Sequence, residues 1–175
     1  GVIGLLTALG LARSGCHVSV YDCSGFGREA SWAGGGIVSP LYPWRYSSAV
    51  TALAHWSQDF YPQLAERLLA STWIDPEVRV TGLYWFDLED QTRALAWAAR
   101  EGRSLAEVDL DDVYQALPML APGFKRALHM SEGANVRNPR LLQALRTELE
   151  RLPNVRLIEH CAVQGFLRSE GRVCG

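Results

Sequence analysis

Gly1, Gly4, Asp22 and the glycine triplet at 34–36 are the residues of this chain whose types and spacing could do chemistry. Glycines set as G-x-x-G at a helix start let backbone approach an anion closely and leave first-turn N–H groups facing it. A carboxylate at the end of the next strand can accept hydrogen bonds from ribose hydroxyls. Asp22 lies eighteen residues after Gly4, close to the interval of about 20 in the dinucleotide-binding fingerprint G-x-G-x-x-G. Gly1 and Gly4 stand where its second and third glycines stand, the second for close approach to a pyrophosphate and the third for tight packing of helix on sheet.

The elements that must position these groups follow in order. Ala8, Leu11 and Ala12 continue a helix from Gly1, and Gly15 lies where a helix stops. HVSVY, 17–21, then alternates as a strand does, with Val18 and Val20 on one face and Asp22 at its end. In such a unit a first glycine and a first strand lie upstream of Gly1, and RVCG breaks off within a hairpin. The expectation is therefore a piece of a longer protein. The apolar run 1–12 lacks a preceding basic segment and a following small-residue cleavage site, and it is too short to span a bilayer. A plain core helix without a ligand is the competing reading.

Composition bounds the rest. The 175 residues are 48% hydrophobic and 21% charged with a net charge of −2, which is ordinary for a globular protein. There is no basic tract, and the six tryptophans are scattered, so nucleic acid is not the expected partner. Cys16, Cys23, Cys161 and Cys174 form no C-x-x-C pair. Cys16-His17 and His160-Cys161 would point to opposite faces of a strand and chelate poorly. No metal site is expected, and the thiols read as reduced and partly buried in a cytoplasmic protein.

After Asp22 the chain runs CSGFGREASWAGGGIVSPLYPWR, 23–45. Its small residues let backbone come close to a flat or extended ligand, and Trp32, Ile37, Val38 and Leu41 are too apolar for a solvated linker. Residues 47–70 suit an amphipathic helix with a kink or restart at Pro62, on which His55 reads as an ordinary helical histidine. A strand is expected near 79–87, a helix over about 89–101, and LAEVDLDDVYQALPML, 105–120, reads as a short helix closed by Pro118. NPRLLQALRTELERL, 138–152, is the clearest helix. Asn138 is its expected cap, Pro139 lies in its first turn, and Leu141, Leu142, Leu145, Leu149 and Leu152 form its buried stripe. VRLIEH follows as a strand, and Ser169-Glu170-Gly171 as a hairpin turn.

The fingerprint with Asp22, followed by GREASWAGGGIVSPLYPWR and later by GANVRNPRLLQALRTELERLPNVRLIEHCAVQGF, resembles the FAD-dependent D-amino-acid oxidase superfamily. Within it, the likeness is to the bacterial glycine oxidase branch linked to thiamine biosynthesis. The resemblance implies an α/β fold: an FAD-binding Rossmann-like domain of glutathione-reductase type, made of 1–75 and 131–175, with an inserted α+β substrate domain, 76–130. It implies that Gly1, Val2, Ile3 and Gly4 hold the FAD pyrophosphate, and that Asp22 binds the adenosine ribose with Cys23 alongside. Ala30 and Ser31 would contact the diphosphate and ribityl region, Gly35, Gly36 and Ile37 would run beside the isoalloxazine, and Val163 would meet the adenine through its backbone. Family members carry glutamate where this chain has Asp22.

The activity so implied is oxidative deamination of glycine or a small D-amino acid to an oxo acid, ammonia and hydrogen peroxide, with hydride passing from the substrate α-carbon to flavin N5. A sarcosine or other secondary-amine oxidase shares every feature above, and a non-catalytic dinucleotide-binding module is the alternative from another class. In this family the substrate-binding Arg and the active-site Tyr come from the C-terminal half, so no catalytic residue is assigned, and Arg45 reads as structural. The expected partner is a small amine or amino acid, with no nucleic acid or membrane, and a homo-oligomer is allowed.

Overall fold

The computed structural model describes residues 1–174, which form two compact units. The first takes Gly1–Gly35, Leu64–Glu77 and the chain from Arg137 onward; the second takes Gly36–Gln63 and Val78–Val136.

In the first unit, α1 (Val2–Arg13) leads through Gly15, at φ +88°, into β1 (Val18–Tyr21). β1 pairs in parallel with β7 (Val155–Ile158), from Val18↔Val155 to Tyr21↔Ile158, and half-buries Val18 and Val20. α1 buries Leu5, Ala8, Leu9 and Ala12 against α6 (Asn138–Glu150), whose buried face is Leu141, Leu142, Ala144, Leu145 and Leu149. Glu148 is also buried, and Arg13 at the end of α1 answers its charge at 2.8 Å. The Asn154 side-chain amide donates to the carbonyls of Ala12 and Cys16, so the end of α1 is closed by the turn that opens β7. Asn138 does not cap α6. Arg137 holds that position, and the Asn138 amide instead donates to the Gly34 carbonyl at 2.8 Å, while Pro139 sits in the first turn as expected. Leu152 is half-buried, since the helix ends before it. β8 (Arg168–Ser169) and β9 (Arg172–Val173) form the expected hairpin, with Glu170 and Gly171 both at positive φ as a type I′ turn requires.

The second unit is built on an antiparallel sheet in the order β3 (Leu83–Phe86), β5 (Ala127–Met130), β4 (Ala106–Val108), with a separate ribbon of β2 (Arg79–Val80) and β6 (Ala134–Asn135). The strand expected over 79–87 is thus two strands in two sheets. They break at Gly82, φ +73°, where the N–H groups of Thr81 and Gly82 both donate to the Gly133 carbonyl. The stretch 105–120 is not a single helix either. Asp109 accepts from the Asp111 N–H at 2.7 Å and so starts α5 (Leu110–Ala116) late, leaving 106–108 to pair with β5. Trp44, Trp85, Trp97, Leu105, Leu128 and Met130 form the core with α4 (Gln91–Glu101).

The second unit also claims 36–63, which the sequence reading assigned to the cofactor domain. The Val38 N–H donates to Ala134, the Val136 N–H to Gly36, and the Gln58 side chain to Val38. α3 (Ser48–Thr72) runs without a break through Pro62, and the unit boundary falls within it at Leu64. All four cysteines are free and exposed rather than partly buried.

Arg45 is structural. Its guanidinium forks onto Asp90 at 2.8 and 2.9 Å, and the Trp44 indole N–H shares that carboxylate at 2.8 Å. The Arg45 hydrogen bonds, with Trp44 assisting, hold Asp90 down to about 2. The contribution of this pair is then complete above the ordinary aspartate value of 3.8 and is lost as pH falls through about 2. A carboxyl titration by NMR should place Asp90 near 2, and Arg45→Gln should return it toward 3.8. An unmoved Asp90 would refute the pairing.

Candidate functional site: a cleft between a helix start and a strand end

The helix α1 and the strand β1 bring two kinds of group to one cleft of about 350 Å³. Gly1, Asp22 and Cys23 line it, together with Glu29, Ala30 and Ser31. α2 (Ala30–Ala33) carries the second set.

Asp22 is fixed from several directions. Its N–H donates to the Ile158 carbonyl at 3.0 Å, and its own carbonyl accepts from the Cys161 N–H at 2.9 Å, so the sheet continues past β1 into the cleft. Its Oδ1 accepts from the N–H and hydroxyl of Ser24, at 3.0 and 3.2 Å. Its Oδ2 lies 3.8 Å from the Gly1 nitrogen. The Ser24 hydroxyl also reaches Glu29 Oε1 at 3.1 Å, which joins the two carboxylates of the cleft. Glu159 pins the loop behind them: it accepts from the Phe26 N–H at 2.8 Å and takes a two-pronged ion pair from Arg146. The Phe26 N–H and Arg146 hold its carboxyl below the usual range.

At the helix start, the Val2 N–H donates to Ser31 Oγ at 2.8 Å. A Cβ on Gly1 would meet that same oxygen at 2.8 Å, so the position admits no side chain without a shift. The remaining first-turn N–H groups, those of Ile3 and Gly4, have no partner within the helix. The Ile3 side chain points to solvent.

The sequence-predicted residues therefore divide. Gly1, Asp22, Cys23, Ala30 and Ser31 line one cleft, and Val2 is tied to it through Ser31. Among the described residues nothing lies within 4 Å of a Cβ placed on Gly4. Gly35 is equally open. Gly36, at φ +72°, and Ile37, bridged to Asn135, belong to the second unit. Val163 is exposed in an irregular stretch and does not line the cleft. Tyr21, Gly27, Arg28 and Glu29 line it without having been expected. The signal for the last three was their place in GREAS, between groups already assigned. Gly27 sits at φ +72°, where a Cβ would be 2.8 Å from Leu142.

His55 accepts from Arg103 Nε at 3.0 Å in the second unit, and Arg103 also donates to Gln58. Burial, then the Arg103 charge, lower its pKa. It acts there as a neutral hydrogen-bond acceptor. Among the described residues no group of His, Cys, Asp and Glu could hold a metal ion, and no helix is long and apolar enough to cross a membrane.

A glycine that leaves no room beyond the hydroxyl holding the helix start, amides able to face an anion, and two carboxylates able to accept from hydroxyls fit an extended ligand bearing a diphosphate and a ribose. These features define a dinucleotide-binding protein of Rossmann-like α/β type. More particularly, the chain belongs to the DAO family of FAD dependent oxidoreductases, which matches residues 1–175. It is 65% identical over all 175 residues to a glycine oxidase of Pseudomonas putida KT2440, of which it covers 48%, and 59% identical to one of Pseudomonas aeruginosa PAO1, again covering 48%. The chain thus spans about half the length of these relatives. Glycine oxidase from Bacillus cereus has the same fold, with a TM-score of 0.87 at 24% identity over 99% of this chain and 47% of the other. L-proline dehydrogenase from P. horikoshii shares it too, with a TM-score of 0.80 at 16% identity over 99% of this chain and 45% of the other.

Proposed function

We propose that this chain is part of an FAD-dependent oxidase that deaminates glycine or a small D-amino acid to an oxo acid, ammonia and hydrogen peroxide, in the service of thiamine biosynthesis. The observation that carries the reading is the 65% identity to a glycine oxidase across every residue of the chain, joined to a cleft whose groups suit the cofactor. A cytoplasmic setting would keep its four exposed thiols reduced.

When bound, FAD would supply the two-electron acceptor; the chain's part is binding and orientation. The Gly1–Gly4 turn would hold the pyrophosphate on the N–H groups of Ile3 and Gly4, with the partial positive charge of the helix start behind them. Ser31, whose Oγ already takes the Val2 N–H, would fix the distance between α1 and α2. Asp22 Oδ1 is held by Ser24, which leaves Oδ2 for ribose hydroxyls, with Cys23 beside it. Ala30 would face the diphosphate, Val163 would offer backbone to the adenine, and Gly35, Gly36 and Ile37 would offer backbone that a flat ring can approach.

The visible spectrum of the full-length protein as purified should carry flavin bands, and peroxide should form with glycine faster than with sarcosine or D-proline. A colourless protein that does not take up FAD would refute the cofactor reading. A flavoprotein inert toward glycine and D-alanine would refute the substrate reading.

A further inference from the structure

We propose that Arg28 is a phosphate ligand of the dinucleotide, placed to offset the negative charge that the cofactor brings into the cleft. The proposal rests on the FAD reading above and adds a residue to it.

Charge bookkeeping in the cleft is the first argument. Its side chains include two carboxylates, Asp22 and Glu29, and a single cationic one, Arg28. A diphosphate entering there adds two more negative charges. The helix start supplies only about half a positive charge, and one of its N–H groups is already taken by Ser31. Without a cation, the carboxylates suited to the ribose would repel the phosphates beside it.

The state of Arg28 is the second. Among the described residues no carboxylate lies within ion-pair distance of it. Its guanidinium rests over the Trp32 ring, 5.7 Å from the centroid, and the residue is exposed. The arginines of and beside α6 differ: Arg137 and Arg140 are paired with Glu77, and Arg146 with Glu150 and Glu159. Arg28 borders both the cofactor cleft and a second cleft on the Trp32 side. A solvated cation on a ring face is weakly held and can exchange that contact for phosphate oxygens, which a guanidinium meets two at a time.

The backbone is the third. Gly27 reaches φ +72° against Leu142, and the Arg28 N–H closes a turn onto the Gly25 carbonyl at 3.3 Å. The root of the side chain is therefore fixed at the cleft, while its end is held only by the Trp32 ring face.

The test uses the full-length apoprotein titrated with FAD at several salt concentrations, as wild type, Arg28→Gln, Arg28→Lys and Asp22→Ala. The expected result is FAD binding weakened about tenfold or more in Arg28→Gln, as for loss of a charged hydrogen bond, with a shallower salt dependence. Arg28→Lys should recover the salt dependence and part of the affinity. The thermal midpoint of the apoprotein should not move, since the side chain is exposed. Wild-type affinity and salt dependence in Arg28→Gln, with Asp22→Ala impaired, would overturn the proposal and leave the cleft standing. An apoprotein midpoint lowered in both Arg28 variants, with equal loss of FAD in each, would assign Arg28 a structural role and overturn it as well. FAD binding unchanged in all three variants would overturn the cofactor reading and the proposal together.

Discussion

Asp22→Ala in the full-length protein should weaken FAD binding by about ten- to a hundredfold, the loss expected when a charged acceptor of hydrogen bonds is removed, about 1.5–3 kcal/mol. The carboxylate has two separable tasks in this structure. Oδ1 holds the turn through the N–H and hydroxyl of Ser24, and Oδ2 faces the start of α1. Alanine removes both, so a loosened 22–29 loop could weaken the cofactor without any ribose contact. Ser24→Ala separates the two effects. It releases the hydroxyl from Asp22 and from Glu29 but leaves the Asp22 carboxylate in place. If the carboxylate binds ribose, Ser24→Ala should retain most of its flavin through dialysis while Asp22→Ala loses it. Equal flavin retention in Asp22→Ala and wild type would remove Asp22 from the site.

What could be read from the sequence here is what depends on near neighbours. The helix from Gly1, the stop at Gly15, the alternation of Val18 and Val20 and the leucine stripe from Leu141 to Leu149 each follow from local spacing, and all appear in the structure. So does the convergence of Gly1 and Asp22, because the chain reverses between α1 and β1 and so sets the start of the helix beside the end of the strand. What depends on a distant partner could not be read. Asn138 has the side chain of a cap, but the carbonyl it bonds is at Gly34, over a hundred residues away. Gly82 divides a strand where Gly133 comes close to it: a Cβ added at Gly133 would lie 2.9 Å from the Gly82 carbonyl carbon. Residues 36–63 join the second unit through hydrogen bonds to Ala134 and Val136 that no local pattern announces. Arg28 and Glu29 went unassigned for a related reason. In sequence they are an ordinary charged pair on a loop, and only the Ser24 bridge to Glu29 and the turn at Gly27 set them at the cleft.

Gly36→Val should lower the thermal midpoint and disturb the flavin spectrum in the same protein, and the two effects have different causes. Gly36 sits at φ +72°, a conformation that a β-branched residue rarely adopts. Its carbonyl accepts from the Val136 N–H at 2.8 Å, and the next residue, Ile37, bridges to Asn135, so the backbone there cannot relax without breaking both contacts. Strain of this kind costs about 1–3 kcal/mol, which for a domain of this size lowers the midpoint by roughly 2–4 °C per kcal/mol. The flavin effect has a separate source, the bulk of a side chain where the cofactor reading puts ring-facing backbone. Gly36→Asn distinguishes them, because asparagine tolerates the left-handed conformation while still adding a side chain. If Gly36 borders the isoalloxazine, Gly36→Asn should recover most of the lost stability yet keep a shifted flavin spectrum and reduced peroxide formation. If the glycine serves backbone shape alone, Gly36→Asn should recover stability, spectrum and turnover together. That outcome would remove 35–37 from the cofactor site while leaving the cleft at Asp22 untouched.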